Sequence, residues 1–409
     1  MKKKIFIAAA VLFSSQLYSQ KPVPVIPADS TKDLDEVGMT ATKSPVKQSQ
    51  TGKVVTVISQ EQIEKSAGKT VAQVLNEQAG ITINGAYNAA GSVQTVFMRG
   101  ASSGRTLILV DGIPVSDPSM INSEFDLNLF SINDVERIEI CKGAQSTLYG
   151  SDAVAGVINI ITVKKDVNKP FYVKATVSAG NKSTLRTNLQ LYGKLGKLTY
   201  TTRYAKFKTK GFSSAYDSSG VKDFDNDGYN GDIMSASVQY QLIPALQLRT
   251  FLQYSQYRAD IDAGIFADEK DYRIHNNNLS SGFGAQFKKG IVQVTGNYQY
   301  GELRRNYLND SLDKPGFTWF EDNQYRARTQ FAELYGNITA TKWLTVLIGA
   351  DHRWAMMYQK YYSESMFGPY DPAAFDSSLK QTSFYASLFF SALQKRLNVE
   401  IGGRTNKHS

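Results

Sequence analysis

Among its 409 residues the chain has one cysteine, Cys141, and three histidines, His275, His352 and His408. A single thiol allows no intrachain disulfide and no cysteine-based zinc site. The expected role of Cys141 is a buried residue beside a strand. None of the histidines has a ligand-like neighbour, and no Ser/His/Asp or Cys/His set offers an activated nucleophile, so the sequence argues against an enzyme. No stretch reaches the roughly 18 consecutive apolar residues of a transmembrane helix. That excludes a helical membrane protein but not a β-barrel, whose strands are apolar only at alternate positions. The formal net charge of +9 is spread thinly along the chain. Without a dense basic cluster interleaved with aromatics, nucleic-acid binding is not expected.

The N-terminus carries the marks of a secretory signal over residues 1–20. Lys2, Lys3 and Lys4 form a basic start, Ile5 to Phe13 an apolar run too short to span a bilayer, and small and polar residues lead to a cut near Ser19 or Gln20. Residues 21–52 are rich in Pro, Ser, Thr and Lys and read as a flexible leader. One island, Leu34 to Thr42, interrupts them.

Residues 53–165 read as a small α/β domain. Lys53 to Ile58 alternate as a strand. Ser59 with Gln62 makes a capping box at a helix start. Val71, Val74, Leu75 and Gln78 keep helical spacing, with Gly80 placed for a C-cap. Val93–Met98 and Arg105–Val110 read as strands, Asp111-Gly112 as a turn, Ile132–Glu136 as helical, Arg137–Cys141 as extended and Gly156–Val163 as an apolar final strand.

Over residues 170–409 the period becomes two. Leu185, Thr187, Leu189 and Leu191 lie on one face and Arg186, Asn188, Gln190 and Tyr192 on the other; Phe384, Ala386, Leu388 and Phe390 repeat the pattern. About eleven such segments, most roughly 10–14 residues long, suit tilted membrane strands. Their connections sort by length. Gly196-Lys197, Pro244-Ala245, Lys289-Gly290, Thr341-Lys342 and Gln394-Lys395 are tight turns, and polar stretches near 209–230, 259–274, 304–323 and 361–378 are long loops. Short turns on one rim and long loops on the other mark an outer-membrane barrel. The expected fold is therefore an α/β plug inside a transmembrane antiparallel β-barrel. A barrel wide enough for such a plug needs about 22 strands, so about half a barrel is expected here. Open backbone edges are not tolerated in lipid, so this piece alone is not expected to be a competent transporter.

The string Val135–Gly150 (VERIEICKGAQSTLYG) with Ala155–Thr162 (AGVINIIT), supported by Arg99-Gly100 and Leu109-Val110-Asp111-Gly112, resembles the plug of TonB-dependent outer-membrane receptors, most closely the cobalamin transporters among them. Ala144 stands where the family commonly has proline. The resemblance implies an outer-membrane importer driven by the TonB energy-coupling protein. It identifies Leu34, Asp35, Glu36, Val37, Gly38, Met39, Thr40 and Ala41 with the TonB box, although the family usually has a more apolar run where Gly38 and Met39 stand. A short extended peptide in a leader can add a strand to a partner's sheet edge; the plain alternative is an island in a linker. Ligand contacts are expected at the plug tips near 84–92 and 115–125, from Tyr87, Asn88, Asp117 and Asn122.

Asp223–Gly228 (DFDNDG) begins like an EF-hand loop, but position 12 would be Met234, so the bidentate glutamate is missing. The resemblance implies calcium held between two loops, with Asp225, Asp227, Asp262 and Asp271 as ligands and Asp223 and Asp268 as spares. Ser213 stands where the family has another acid. A solvated acidic loop is the alternative. Cobalamin or a related corrinoid is the expected ligand, with a ferric siderophore or other metal chelate as the rival. A passive porin or an adhesin would need neither plug nor leader island. Outer-membrane lipid and a surface lipoprotein cap complete the expected partners.

Overall fold

The computed structural model describes residues 38–39, 43, 46–47, 53–162, 167–218, 220, 224–311, 318–393 and 397–409. The signal segment, Leu34–Val37, Thr40, Ala41, Asp223 and the Gln394-Lys395 turn lie outside the described residues.

The chain enters through β1 (Gly38–Met39) and β2 (Val46–Lys47), which pair antiparallel with Lys43 in their connection. The plug follows: β3 (Val54–Ile58), α1 (Gln60–Lys65), α2 (Val71–Asn76), β4 (Ile81–Asn84), β5 (Thr95–Met98), β6 (Thr106–Val110), β7 (Ile113–Val115), β8 (Arg137–Lys142), α3 (Ser146–Tyr149) and β9 (Gly156–Ile161). The Ser59/Gln62 capping box forms, and Thr70 with Gln73 makes a second one at α2. Two expectations shift. Helix α2 closes at Glu77, and Gly80 instead enters β4 at φ +77°. The helix expected over Ile132–Glu136 is a single 3-10 turn, Ile132–Asp134, capped by Ser131; with β8 starting at Arg137 it is too short for an α-helical nucleus.

The central plug sheet runs β3-β8-β9-β6-β7, with β6 and β9 parallel. Strands β8 and β9 are buried almost throughout; this explains the largely apolar run of β9, while on β8 the buried Arg137 and Glu139 pair with each other at 2.7 Å. Cys141 lies among them, fully buried.

The second layer is one sheet: β10 (Tyr172–Gly180), β11 (Thr184–Leu195), β12 (Leu198–Thr209), β13 (Tyr229–Ile243), β14 (Leu246–Asp260), β15 (Tyr272–Lys289), β16 (Val292–Asp310), β17 (Thr318–Thr341), β18 (Leu344–Ser365), β19 (Gly368–Tyr370), β20 (Phe375–Ala392) and β21 (Leu397–His408). Each long strand pairs antiparallel with the next, β19 is a spur on β18, and β10 and β21 do not pair with each other, so the barrel wall is partial and unclosed. Gly196 makes the β11–β12 turn at φ +58°, a conformation that a two-residue hairpin demands and glycine adopts without strain.

Alternation assigns the two faces of this wall. Leu189, Leu252, Phe283, Leu334, Ile348 and Phe384 point outward and are exposed. Asn188, Gln190, Arg203, Ser255, Asn276, Glu333, Asp351 and Ser383 point inward and are buried. Apolar outside and polar inside inverts the pattern of a water-soluble protein and suits a lipid-facing wall. No helix among the described residues is long and apolar enough to cross a membrane. The strands β13–β18 and β20 are longer than expected, reaching 24 residues in β17. Much of the stretch 304–323 expected as loop is strand, because β16 runs to Asp310 and β17 begins at Thr318. The hairpin keeps pairing beyond the apolar band, with polar side chains on its outer face.

The plug sits on the inner face of this wall. Its apolar core is continuous with Tyr229, Tyr257, Ala259, Ile274, Leu303 and Ala327 of the wall. A second cluster joins Leu107, Leu109, Leu148, Tyr149 and Val157 to Leu347 and Tyr385.

Candidate functional site

Three groups of polar residues join the leader, the plug tip and the long loops to their surroundings. The first is at the leader. Lys43 is buried, and its ammonium pairs with Glu333 of β17 while donating to Tyr385 Oη at 3.0 Å and to the Leu148 carbonyl at 2.9 Å. The Tyr149 and Tyr385 rings flank it, with centroids 4.6 and 4.3 Å from Nζ. Asn337 Nδ2 donates to the Lys43 carbonyl at 2.8 Å, so backbone and side chain are both gripped by β17. Burial pushes the ammonium's pKa down and Glu333 opposes that shift. Next to it Arg404 pairs with Asp351 at 2.8 Å and Arg353 donates to the Tyr149 carbonyl at 2.8 Å.

The second group lies under the plug tip. Arg305 of β16 donates to Asp117 Oδ2 at 2.7 Å and to Ser119 Oγ at 2.9 Å. Asp126 accepts from Tyr257 Oη at 2.6 Å and Asn276 Nδ2 at 3.0 Å. Burial raises the Asp126 pKa. Asp117, expected to meet ligand, is 1% exposed and its carboxylate is committed to Arg305. It anchors the tip loop and has no free face toward a ligand in this conformation. Tyr87, Asn88 and Asn122 are exposed. Asn88 also lines a cavity of about 220 Å³ between the plug and strands β11–β13.

The third group is the acidic cluster between the loops after β12 and β14. Oxygens of Asp225, Asp262 and Asp268 all lie within 4.8 Å of one another. Asp227 is buried beside them, accepting from the Ser214 amide at 2.6 Å and from the Ser214 hydroxyl through Oδ2, while its Oδ1 has no partner among the described residues. Ser213 and Ser214 hydroxyls both donate to Asp262 Oδ2 at 3.2 Å. Gly211 brings the loop in: at φ +65° a Cβ there would stand 1.8 Å from the Asp227 carbonyl oxygen, so only glycine fits. Burial pushes Asp227 up to about 6, and burial followed by the charges of Asp268 and Asp262 raises Asp225. Crowded carboxylates with an orphaned buried oxygen fit a hard divalent cation, which takes oxygen ligands and relieves the repulsion. Asp271 lies elsewhere, its Oδ1 3.8 Å from Arg273 Nη2, and Arg273 also reaches Asp260 at 3.5 Å.

A folded plug against the polar inner face of an apolar-sided strand wall defines a plugged outer-membrane barrel. Residues 47–157 match the family model described as the TonB-dependent Receptor Plug Domain. The chain is 34% identical over 173 residues to the "Vitamin B12 transporter BtuB" of Vibrio cholerae, covering 42% of this chain and 27% of that protein. It is 31% identical over 167 residues to the protein of the same name from Vibrio vulnificus, again covering 27% of it. The aligned part thus spans about a quarter of the length of these relatives. Among solved structures, the ferric yersiniabactin receptor FyuA of Yersinia pestis superposes with a TM-score of 0.66 at 14% identity, covering 87% of this chain and 61% of that one. The ferripyoverdine receptor of Pseudomonas aeruginosa gives 0.72 at 16% identity, covering 90% and 53%. Residues 47–157 thus carry a TonB-dependent receptor plug domain, and the strand wall that follows has the fold of the solved receptors.

Sequence reading missed the partners of these sites. Nothing local distinguishes Lys43 from the other lysines of the leader, or Glu333 from other strand acids. The one available signal for Arg305 was its place on the inward-facing register with Leu303.

Proposed function

We propose that this chain is the plug-bearing part of an active importer of cobalamin or a related corrinoid. The likeness to transporters named for vitamin B12 carries the choice of ligand. The tethered plug carries the need for work: Lys43–Glu333 and Asp117–Arg305 are buried ion pairs that must be broken before the plug can shift, and removing one partner from such a pair is costly. TonB would supply the pull by capturing residues 34–41 through strand addition. Met39 is already paired with Val46 in a two-residue ladder, short enough to be exchanged for a longer one.

Tyr87, Asn88 and Asn122 are the exposed tip residues placed to meet ligand. Asp225, Asp227, Asp262 and Asp268 would hold calcium, which would clamp the two loops over the plug tips. A ferric-chelate receptor is the second reading, supported by the ferric-chelate uptake receptors among the structural neighbours, whose low identity carries only the fold.

The deciding experiment titrates the full-length receptor with cyanocobalamin and, separately, with a ferric siderophore. Saturable binding of cyanocobalamin is expected. Binding of the ferric chelate alone would replace the corrinoid reading. Met39→Pro should abolish uptake and leave surface binding intact; normal uptake would remove the TonB-box assignment.

A further inference from the structure

The outer face of β16 and β17 carries a charge cluster that neither plug, leader nor ligand loops use. Glu302 lies across from Arg328, and Arg304 across from Arg326. Their neighbours Leu303, Arg305 and Ala327 are buried on the inner face, so these four point outward. Arg304 Nη2 stands 2.7 Å, Arg326 Nη2 3.0 Å and Arg328 Nε 3.2 Å from Glu302 oxygens, and Tyr300 Oη donates to the same carboxylate at 2.8 Å. Among the described residues Glu302 is the sole ion-pair partner of all three arginines. Three cations on one anion leave two positive charges. The carboxylate is saturated at 14% exposure, whereas Arg304 is 63% exposed and the Arg326 Nε is buried without a partner among the described residues. Each guanidinium has five N–H donors, so most of them remain unspent.

Depth decides what can meet these donors. Glu302 is ten residues along β16 from Val292 at the short-turn end. At about 3.3 Å per residue and a tilt near 40° that is a rise of roughly 25 Å, the height of the apolar band. The cluster therefore stands at the upper edge of the hydrocarbon, on the long-loop side. Exposed Leu334 and Ile348 lie outward on β17 and β18 nearer the short-turn end. Excess positive charge at the boundary of hydrocarbon and headgroups calls for an anion that is itself part of the membrane.

We propose that Arg304, Arg326 and Arg328 form a docking site for the phosphate of an acylated glycolipid in the outer leaflet. The phosphate oxygens accept paired N–H bonds from the guanidinium forks, and the acyl chains descend over the apolar band. Glu302 splays the three forks and fixes their direction. The site rests on the wall's outer face meeting lipid and is independent of the imported ligand.

The test uses the full-length receptor in detergent and measures lipid retained after gel filtration by native mass spectrometry. The probes are bisphosphorylated lipid A, the same lipid with both phosphates removed, and inorganic phosphate as competitor. The parent should retain the phosphorylated lipid at least about tenfold better than the dephosphorylated one, the scale of a charge-assisted hydrogen bond or two. The triple variant Arg304→Gln/Arg326→Gln/Arg328→Gln should lose that preference. Equal retention of both lipids by the parent overturns the proposal without recourse to any variant, as does undiminished preference in the variant or displacement by inorganic phosphate as readily as by lipid. Retention of no acylated lipid at all overturns the lipid-facing assignment of this face instead.

Discussion

Lys43 and Glu333 stand 290 positions apart and meet inside the wall, where the lysine ammonium is enclosed by a carboxylate, a phenol, a carbonyl and two aromatic rings. The relationship fixes where the leader ends mechanically. A pull transmitted past Lys43 has to extract a buried charge.

Glu333→Ala should therefore loosen the leader more than the pair's removal does. The single variant strands a buried ammonium, costing about 3–5 kcal/mol, whereas Lys43→Met with Glu333→Leu replaces both charges by apolar groups and should cost much less. Limited proteolysis of the leader in intact outer membranes checks this: faster cleavage after residue 43 in the single variant, near-parental cleavage in the double.

The tip loop invites a separation of anchoring from binding. Asp117→Ala and Arg305→Ala should each lower thermal stability, and the two together should be far from additive because they break one pair. Tyr87→Ala and Asn122→Ala, at exposed positions, should weaken ligand binding with stability changes within about 0.5 kcal/mol. Equal loss of ligand affinity with Asp117→Asn and with Asn122→Ala, at unchanged melting temperature, would assign Asp117 to the ligand instead.

How much of this could be read from the sequence follows from what periodicity encodes. The alternation of Leu185–Tyr192 and Phe384–Phe390 is a local signal, so the two-faced wall was legible, as were the capping box at Ser59 and the apolar β9. Strand ends were not: the polar outer positions of β16 and β17 within 304–323, such as Arg304, read as loop because above the apolar band both faces become polar. The grouping of Asp225 with Asp262 and Asp268, and the turning of Asp271 toward Arg273, depend on loop paths that composition does not encode. Lys43–Glu333 and Asp117–Arg305 are long-range meetings with no local signature at all.

Asp134 gives the plug seat a pH dependence. Its carboxyl is buried against the wall and raised from 3.8 to about 6, chiefly by burial, with Arg203 and Asn188 opposing. A carboxyl whose folded pKa is raised favours folding where it is protonated. Stability from this residue should be greatest below about pH 3.8, fall as pH rises toward 6, and be constant above. Asp134→Asn should flatten that segment of the profile, measured by denaturant midpoints of the full-length receptor from acid to neutral pH. An unchanged slope in the variant would place the proton elsewhere.

The acidic loops should respond oppositely to metal and to acid. Without a cation, the crowded carboxylates of Asp225 and Asp227 penalise the folded loops as pH rises through about 6, where Asp227 loses its proton. Calcium binds the deprotonated oxygens and removes the penalty. Its stabilising effect should thus be full at neutral pH and fade as pH falls below about 6. Asp225→Asn with Asp227→Asn should abolish the calcium effect while raising metal-free stability at neutral pH, because the repulsion goes with the charges. Thermal melts with calcium and with chelator, at neutral and acid pH, decide the matter: a parent indifferent to chelator at neutral pH leaves these aspartates as a solvated acidic loop, and a variant that keeps the response moves the cation to other ligands.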